Sequence, residues 1–388
     1  MSTPRVLISG AGIAGNALGV ALGRRGITAT VVERAPGPRT GGHTVDLRGH
    51  SRHVLRDWNL LDEVTALRVA EERMVAVGHD GNELWRMPAQ DGGIVADVEI
   101  GREDLNAVLE KASAADIRYG EHLVATGATA TGVRTETSRG HQLDADVLVI
   151  AEGTRSSLRA RLFPEAKSCY LGGYLALVAL SYPEEFGGDM RVFSAGGGVM
   201  VAIRPGRVQG MALVAVRAPQ RPELTNDTAA QRRFVAEHIT RAGVADKWYV
   251  PSVLDRIAHD PGFHCEELTK VVAPSWSTGR TVLLGDTAWS GSALTGLGTA
   301  MAIMGAEALA DAIATQPGDL DSALHAYETK MRRFTRWSHA DASPSMLKRW
   351  APSTERQARM NALVMRTVTR TPLRRMLTRA VRPPAWTA

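Results

Sequence analysis

Cysteine is scarce in this sequence of 388 residues: Cys169 and Cys265 are the only two, and no C-x-x-C spacing is present. We therefore expect no disulfide framework, and the two isolated thiols are typical of core residues in a reducing cytoplasm. Long apolar runs are missing too. No uncharged stretch approaches the ~20 residues of a membrane-spanning helix, and the N-terminus lacks the long apolar region and cleavage site of a signal peptide. We expect a cytoplasmic protein without a transmembrane segment.

Residue patterns that mark a hydrolase or a metalloenzyme are missing as well. The eleven histidines belong to no Ser-His-Asp set and to no cluster with metal-ligand spacing, and no Cys nucleophile stands out. His43, His50 and His53 stand close together, but histidines in such a segment are more often solvated or structural than catalytic. The sequence therefore assigns neither a catalytic residue nor a metal.

The composition is that of an ordinary soluble globular protein, with 44% hydrophobic and 22% charged residues. The length exceeds that of a single hydrophobic core, so two domains are expected. The net charge of +5 is unevenly distributed, because residues 331–388 carry 13 Lys and Arg against only Asp341 and Glu355. A basic segment of this kind fits nucleic acid, anionic lipid or an acidic partner. Since its arginines stand at helical spacing among apolar residues, we favour a solvated helix lying over an acidic body, and expect no nucleic-acid partner.

The first 34 residues have the pattern of a strand, a tight turn, a helix and a second strand. Residues 5–8 form a short apolar run typical of a buried parallel strand, and residues 16–25 have helical composition that Gly26 would end. Residues 28–32 form the next strand, which leads to Glu33 and Arg34. This order is one βαβ unit.

A glycine fingerprint fills the turn of that unit. Gly10 permits the tight turn, Gly12 lets the backbone approach a pyrophosphate, and Gly15 allows close packing of helix on strand. The amides at the start of the helix, from Ile13 and Ala14, then face the phosphate charge. Glu33 accepts hydrogen bonds from ribose hydroxyls and repels a 2′-phosphate. The unit predicts a site for the ADP half of a dinucleotide, which we predict to be FAD.

The rest of the chain predicts a mixed architecture. Hairpins are expected between 74–77 and 83–87 and between 133–137 and 142–143, and helices over 51–67, 103–115 and 300–314. Buried strands at 146–150 and 281–284 return to the first sheet, whereas residues 169–265 are rich in turns and short strands. We predict an α/β fold: a Rossmann-type (GR2) FAD domain, an inserted, mostly antiparallel β-sheet substrate domain, and a C-terminal helical segment. The predicted boundaries are 1–73, 99–168 and 269–330 for the FAD domain, 74–98 and 169–268 for the substrate domain, and 331–388 for the basic helical segment.

A second motif begins at Gly285-Asp286, directly after a buried strand. A carboxylate at the C-terminal end of such a strand lies at the ligand-binding edge of the sheet. Gly296, Gly298 and Thr299 lead from there into an apolar helix, whose N-terminus favours the negative charge that a reduced flavin carries at its N1–C2=O edge.

Together these residues resemble the group A, single-component flavin monooxygenases of the para-hydroxybenzoate hydroxylase fold, and within that group the tetracycline-inactivating and antibiotic-pathway hydroxylases. The similarity covers about residues 4–330. It rests on the fingerprint with Glu33-Arg34, on Gly41-Gly42…Asp46-Leu47, Arg102-x-x-Leu105 and Glu152-Gly153-x-Arg155-Ser156, and on Gly285-Asp286 with its glycine loop.

The resemblance implies an FAD-dependent enzyme that consumes NAD(P)H. Reduced FAD would react with O2 to a C4a-hydroperoxide, which oxygenates an aromatic or polyketide-like small molecule. By the same likeness Arg102 and Asp286 contact the FAD diphosphate and ribityl chain, Asp46 contacts the flavin region, Arg39 lies where NAD(P)H approaches, and the backbone of Val124 contacts adenine.

The chain departs from the family at two places. It has Glu152-Gly153 where the family has Asp-Gly, and it has Trp289 and Ser292 where the family has His and Pro in the loop beside the flavin. These departures keep open a same-fold flavoenzyme that dehydrogenates, reduces or rearranges a natural-product intermediate. A flavin-dependent halogenase is disfavoured, because the sequence has no W-x-W-x-I-P. The basic C-terminal segment keeps open a membrane-attached accessory protein.

Overall fold

The computed structural model describes residues 3–38, 42–88 and 98–370. Within these ranges the strands, in chain order, are β1 Val6–Ser9, β2 Ala29–Glu33, β3 Thr44–Asp46, β4 Arg68–Val69, β5 Arg73–Val77, β6 Glu83–Pro88, β7 Glu99–Gly101, β8 Asp116–Tyr119, β9 Leu123–Ala128, β10 Val133–Thr137, β11 Gln142–Ala145, β12 Val147–Ile150, β13 Lys167–Leu180, β14 Asp189–Gly196, β15 Val199–Arg204, β16 Gly210–Arg217, β17 His264–Val272, β18 Ser277–Thr278 and β19 Thr281–Leu283.

The α-helices of the same ranges are α1 Ile13–Gly23, α2 His50–Asp57, α3 Leu61–Ala66, α4 Arg102–Ala112, α5 Ser157–Leu162, α6 Thr228–Arg241, α7 Val250–His259, α8 Asp286–Trp289, α9 Gly298–Thr315, α10 Leu320–Asp341, α11 Pro344–Trp350 and α12 Glu355–Arg370. Short 3-10 turns occupy Glu184–Phe186, Pro222–Leu224 and Ala293–Thr295.

One of the two large sheets has six strands in the order β18-β19-β12-β1-β2-β8. Its strands are parallel from β19 to β8, and only β18 runs antiparallel. The apolar runs of β1 and β12 are buried along their whole length, as strands covered on both faces must be. Because β1, β2, β12 and β19 run parallel, their carboxyl ends lie at one edge of the sheet, although the strands come from distant parts of the chain. The predicted α/β fold is confirmed.

The other large sheet has seven strands in the order β17-β13-β16-β15-β14-β5-β6. All its pairs are antiparallel except β14 with β5. The hairpin predicted between 74–77 and 83–87 occurs in it as the pair of β5 and β6. One face forms a core with α6 and α7, and the other forms a core with the C-terminal segment around Leu347.

Two small sheets complete the fold. One is a short antiparallel sheet in the order β3-β7-β4. The other has the order β11-β10-β9, in which β10 and β11 form the hairpin predicted at residues 133–143 and β9 is one further strand. The division of the chain into domains at the predicted boundaries stays a prediction.

The helix expected over residues 51–67 is wrong as a single element. It is two helices, α2 and α3, because Asn59 adopts a left-handed backbone with φ of 62° and ends the first one. The helix predicted at 103–115 begins at Arg102 and ends at Ala112. Both cysteines are free; Cys265 is buried as expected, whereas Cys169 is partly exposed.

The described part of the basic segment is helical, in the C-terminal half of α10 and in α11 and α12. Among the residues that the structure describes, no helix combines the length and the apolar character needed to cross a membrane. Residues 371–388 lie outside the described ranges.

Candidate FAD site

In the turn between β1 and α1, two glycines are tightly packed and the third has free space around it. A Cβ atom placed on Gly10 would lie 2.6 Å from the carbonyl oxygen of Ala151, and one on Gly15 would lie 1.9 Å from the carbonyl oxygen of Gly10. A Cβ atom on Gly12 would meet no atom within 4 Å. The backbone is therefore packed against the sheet on one side and bare at Gly12, which fits the close approach of a diphosphate.

Helix α1 begins at the same point. Gly12 is its N-cap and supplies no capping side chain, and the first turn, with Ile13 and Ala14, carries no acidic residue. The first amides of a helix have no partner within it and form the positive end of its dipole. This terminus fits an anionic group in front of Gly12.

Glu33 is held beside the turn by two backbone amides. One carboxylate oxygen accepts a hydrogen bond from the amide of Ala11 at 2.8 Å, and the other accepts one from the amide of Ala35 at 2.9 Å. These contacts fix the carboxylate next to the fingerprint, with remaining lone pairs to accept ribose hydroxyls. Arg34 follows at the exposed end of β2.

The second motif lies against the first, although more than 250 residues separate them in sequence. Gly285 follows β19 with φ of 67°, and a Cβ atom added to it would lie 2.7 Å from the Cβ of Ala14. Asp286 comes next and begins the short helix α8. The carboxyl ends of β1 and β19 thus bring both glycine turns to one place.

Asp286 is half-buried in this region. Burial raises the pKa of its carboxyl, while the charge of Arg102 and a hydrogen bond with Ser290 act in the opposite direction. A Cβ atom on Gly298 would lie 3.5 Å from Asp286 Oδ1. Gly298 and Thr299 form the first turn of α9, which has neither a side-chain cap nor an acidic residue. The start of α9 therefore presents a second positive helix end, close to the Asp286 carboxylate.

Asp46 and Gly296 meet at the other side of the loop. A Cβ atom on Gly296 would lie 2.5 Å from Asp46 Oδ2, and Gly296 adopts a left-handed backbone with φ of 62°. The same carboxylate oxygen accepts a hydrogen bond from Arg48 Nε at 3.1 Å. Glycine suits this position because of the left-handed backbone, and a side chain would push the Asp46 carboxylate aside.

Arg102 begins α4 and adjoins the segment around Gly42. Its amide donates a hydrogen bond to the carbonyl oxygen of His43 at 3.1 Å, and its side chain lies 3.7 Å from a Cβ atom placed on Gly42. Burial, followed by the charge of Arg102, lowers the pKa of His43 to about 4. His43 is thus neutral at physiological pH and lies among the charges of the site.

Glu266, on β17, is a site residue that the sequence did not reveal. Its carboxylate lies 3.6 Å from His264 Nε2. Burial raises the pKa of Glu266, but the hydrogen bond and charge of His264, together with His43 and Arg102, outweigh it and lower the pKa. The seven-stranded sheet therefore contributes a charge to the region of Arg102. In the sequence Glu266 is one charged residue in an alternating strand, which carries no signal.

A buried ion cluster links the small sheet to the seven-stranded sheet. Arg204, at the end of β15, contacts Glu99 and donates a hydrogen bond from Nη2 to Glu71 Oε2 at 3.0 Å, and all three side chains are buried. Glu99 faces Asp46 in the register of β3 and β7. Burial raises the pKa of Glu71. The cluster connects Asp46 to the second sheet.

The last two predicted site residues are Val124 and Arg39. Val124 is the second residue of β9, and its carbonyl oxygen accepts a hydrogen bond from Arg161 Nη1 at 2.8 Å. Arg39 lies outside the described residues.

The first departure from the family pattern, Glu152, is accommodated by two serines. Ser9 Oγ donates to Glu152 Oε1 and Ser156 Oγ donates to Oε2, each at 2.6 Å. The carboxylate thus ties the end of β1 to the loop before α5. Its place is structural, beneath the turn that Gly10 makes.

The second departure involves two residues, Trp289 and Ser292, which have different surroundings. Trp289 turns into the core, where its ring lies 4.6 Å from that of Trp276, and a Cβ atom on Gly305 would collide with it at 2.8 Å. Ser292 stays in the loop with φ of 74°, and its buried hydroxyl has no hydrogen-bond partner among the described residues. A non-glycine residue in this conformation stores backbone strain.

Comparison with known proteins agrees with this geometry. A family model described as an FAD binding domain matches residues 3–339. The chain belongs to the FAD-binding domain family. An FAD-dependent monooxygenase of Sarocladium schorii is 29% identical over 367 residues, which cover 85% of this chain and 84% of that protein.

Solved structures show the same fold. Tetracycline destructase Tet(55) has a TM-score of 0.81 with 23% identity and covers 99% of both chains. The Klebsiella pneumoniae protein HpxO, solved with FAD and uric acid, has a TM-score of 0.78 with 18% identity and covers 97% of this chain and 96% of its own. The resemblance stated from the sequence is confirmed: FAD is the cofactor of this family member, and its class is the FAD-dependent monooxygenases.

Proposed function

We propose that this flavoenzyme consumes NAD(P)H and O2 to hydroxylate an aromatic or polyketide-like small molecule. The observation that carries the proposal is the contact between the fingerprint turn and the Gly285-Asp286 loop, with Asp46 and Gly296 alongside. The site bound to FAD would supply two kinds of chemistry, acceptance of a hydride from NAD(P)H and activation of O2 for transfer to an electron-rich carbon.

The N-termini of two helices, α1 and α9, would contact different parts of the cofactor. The amides at the start of α1, beside Gly12, hold the diphosphate, and Glu33 accepts the ribose hydroxyls. Arg102 and Asp286 hold the diphosphate and the ribityl chain. The start of α9 stabilises the negative charge at the flavin N1–C2=O edge. We keep the roles predicted for Arg34, Arg39, Asp46 and Val124 as part of this proposal.

The apolar face of the seven-stranded sheet supports a bulky apolar substrate. Met74, Met87 and Met200 are buried in the core on this face, and Met190 and Met211 are partly buried against it. Methionine side chains adapt to irregular ligands, and binding sites for small molecules are mostly apolar. The structural neighbours include proteins named for tetracycline and nitrophenol, which agrees with a polycyclic or phenolic compound.

A second candidate is a same-fold flavoenzyme that dehydrogenates, reduces or rearranges its substrate. Ser292 favours this alternative, because it stands in the loop that the proposed flavin would face, with a strained backbone and a buried hydroxyl that has no hydrogen-bond partner among the described residues.

One experiment separates the two. FAD-loaded protein is mixed with NADH or NADPH under 18O2, with and without a panel of polycyclic phenols, while flavin reduction and product mass are followed. The hydroxylase proposal expects a phenol to accelerate flavin reduction and to gain one labelled oxygen atom. Turnover of a substrate that gains no label would establish the second candidate and contradict the first.

A further inference from the structure

Helix α12 is apolar on two faces, and among the described residues only one of them packs against the rest of the fold. On the inner face, Ala362 and Met365 pack against the core of the seven-stranded sheet, and Asn361 Nδ2 donates a hydrogen bond to the carbonyl oxygen of Arg349 at 3.1 Å. A Cβ atom on Gly196 would lie 2.7 Å from the amide nitrogen of Glu355, so the start of the helix sits tightly on β14. These contacts fix which face of α12 points outwards.

The outer face carries Met360, Leu363 and Val364, which are 55%, 51% and 52% exposed. Their spacing of three and four residues places them side by side on one stripe of the helix. Among the described residues seven large hydrophobic side chains are exposed, and three of them fall within residues 360–364. Since the inner face already packs on the core, folding does not account for this stripe. Concentrated exposed apolar surface of this kind marks an interaction site.

Arginines accompany the stripe. Arg356, Arg366 and Arg370 are exposed on the same helix. Glu355 is its only acidic residue, and the carboxylate accepts a hydrogen bond from Arg359 Nη2 at 2.6 Å. Residues 371–388 add four more arginines and no acid to the sequence. The exposed surface of α12 therefore combines an aliphatic stripe with a surplus of positive charge.

We propose that the outer face of α12 binds an anionic lipid surface, with Met360, Leu363 and Val364 entering the boundary between headgroups and acyl chains and the arginines contacting phosphates. Helices with an apolar stripe and flanking Arg lie in the membrane interface in this way. A second copy of the chain fits less well, because it would bring two basic faces together. A nucleic acid would pair with the arginines and leave the aliphatic stripe against water. The proposal does not rest on the proposed oxygenase reaction.

The test is co-sedimentation of the full FAD-loaded protein with vesicles of phosphatidylcholine, alone or mixed with phosphatidylglycerol, at low and high salt. We expect binding to the mixed vesicles only, and its loss at high salt. Replacing Leu363 and Val364 by Gln should weaken binding at least about tenfold, and replacing Arg356 and Arg366 by Gln should weaken it about tenfold. The matched controls are Val208→Gln and Arg241→Gln, which change an exposed valine and an exposed arginine elsewhere and should leave binding unchanged.

Each variant is checked for unchanged FAD content and melting temperature, since all the substituted side chains are exposed. Absence of binding, equal binding to neutral vesicles, or equal loss in the control variants would overturn the proposal. So would a protein dimer that separates when Leu363 and Val364 are replaced, because the stripe would then serve a second copy of the chain.

Discussion

Gly285 rests directly on Ala14: a Cβ atom added to Gly285 would stand 2.7 Å from the Cβ of Ala14, well inside the contact distance of two carbon atoms. The loop after β19 and the first turn of α1 therefore form one surface, although more than 250 residues separate them in the chain. Asp286 is placed in the site by this contact.

Gly285→Ala should separate the two halves of the site. The added methyl group collides with Ala14, so we expect FAD affinity to fall by about tenfold or more, since overpacking costs about 1–3 kcal/mol. Gly26→Ala is the control: Gly26 has the same φ of 67°, but a Cβ atom there meets nothing within 4 Å. Both affinities are measured by fluorescence titration of the apo protein with FAD. Equal FAD affinity in the two variants would show that the contact is irrelevant to binding.

Substitutions of two fingerprint glycines should affect different properties, stability in one case and FAD affinity in the other. Gly15→Ala places a methyl group 1.9 Å from the carbonyl oxygen of Gly10 and should lower the melting temperature of the apo protein. Gly12→Ala meets open space and keeps an ordinary φ of −78°, so the apo protein should melt like wild type while its FAD affinity falls at least tenfold. Thermal melts and FAD titrations of both variants test this; a Gly12→Ala protein that binds FAD normally would contradict it.

Asp286 should destabilise the apo protein at neutral pH. Burial raises the pKa of its carboxyl, so the folded state holds the proton more tightly than the unfolded state, and folding stability falls as the pH rises through the folded pKa. Asp286→Asn should therefore raise the apo melting temperature at pH 7, with the gain shrinking as the pH falls towards about 4. Asp57→Asn, at an exposed aspartate, is the control and should show no such gain. An unchanged or lower melting temperature for Asp286→Asn at pH 7 would argue against the buried charge.

His43 should make the protein sensitive to acid. Its pKa is lowered to about 4 from an ordinary value of 6.5, so the folded state binds the proton less readily than the unfolded state. The stability that neutral His43 contributes is present above pH 6.5 and is lost as the pH falls towards 4. His43→Asn should flatten the pH dependence of urea unfolding in that window by on the order of 2 kcal/mol, whereas His259→Asn, at an exposed histidine, should not. Identical slopes for wild type and His43→Asn would refute this assignment.

The βαβ unit and both glycine motifs were predictable because their chemistry is local: a turn, a helix end and a strand end each need a particular residue at a particular spacing. The hairpins at Asp80-Gly81 and Ser138-Arg139-Gly140 were predictable for the same reason. Helix 51–67 was not, because the left-handed backbone at Asn59 is a single-residue event inside a continuous helical pattern.

The charge network of the site is not local, and the sequence did not reveal it. Glu266, Arg204, Glu71 and Glu99 come from three sheet and loop regions and meet only after folding. Trp289 was expected in the flavin loop, but it packs on Trp276 because Gly305 leaves room for its ring. The partners of Glu152 were also hidden: Ser9 precedes the fingerprint, and nothing in its neighbourhood indicates a hydrogen bond to a residue 143 positions away.

The most direct test of the account is a titration of apo protein with FAD and with ADP, comparing wild type, Gly12→Ala and Asp286→Ala. If the fingerprint holds the ADP half and the distant loop holds the rest, Gly12→Ala should weaken both ligands, whereas Asp286→Ala should weaken FAD about tenfold and leave ADP within about twofold of wild type. For Asp286→Ala, unchanged FAD affinity or equal losses of FAD and ADP affinity would contradict a flavin site assembled from two distant parts of the chain.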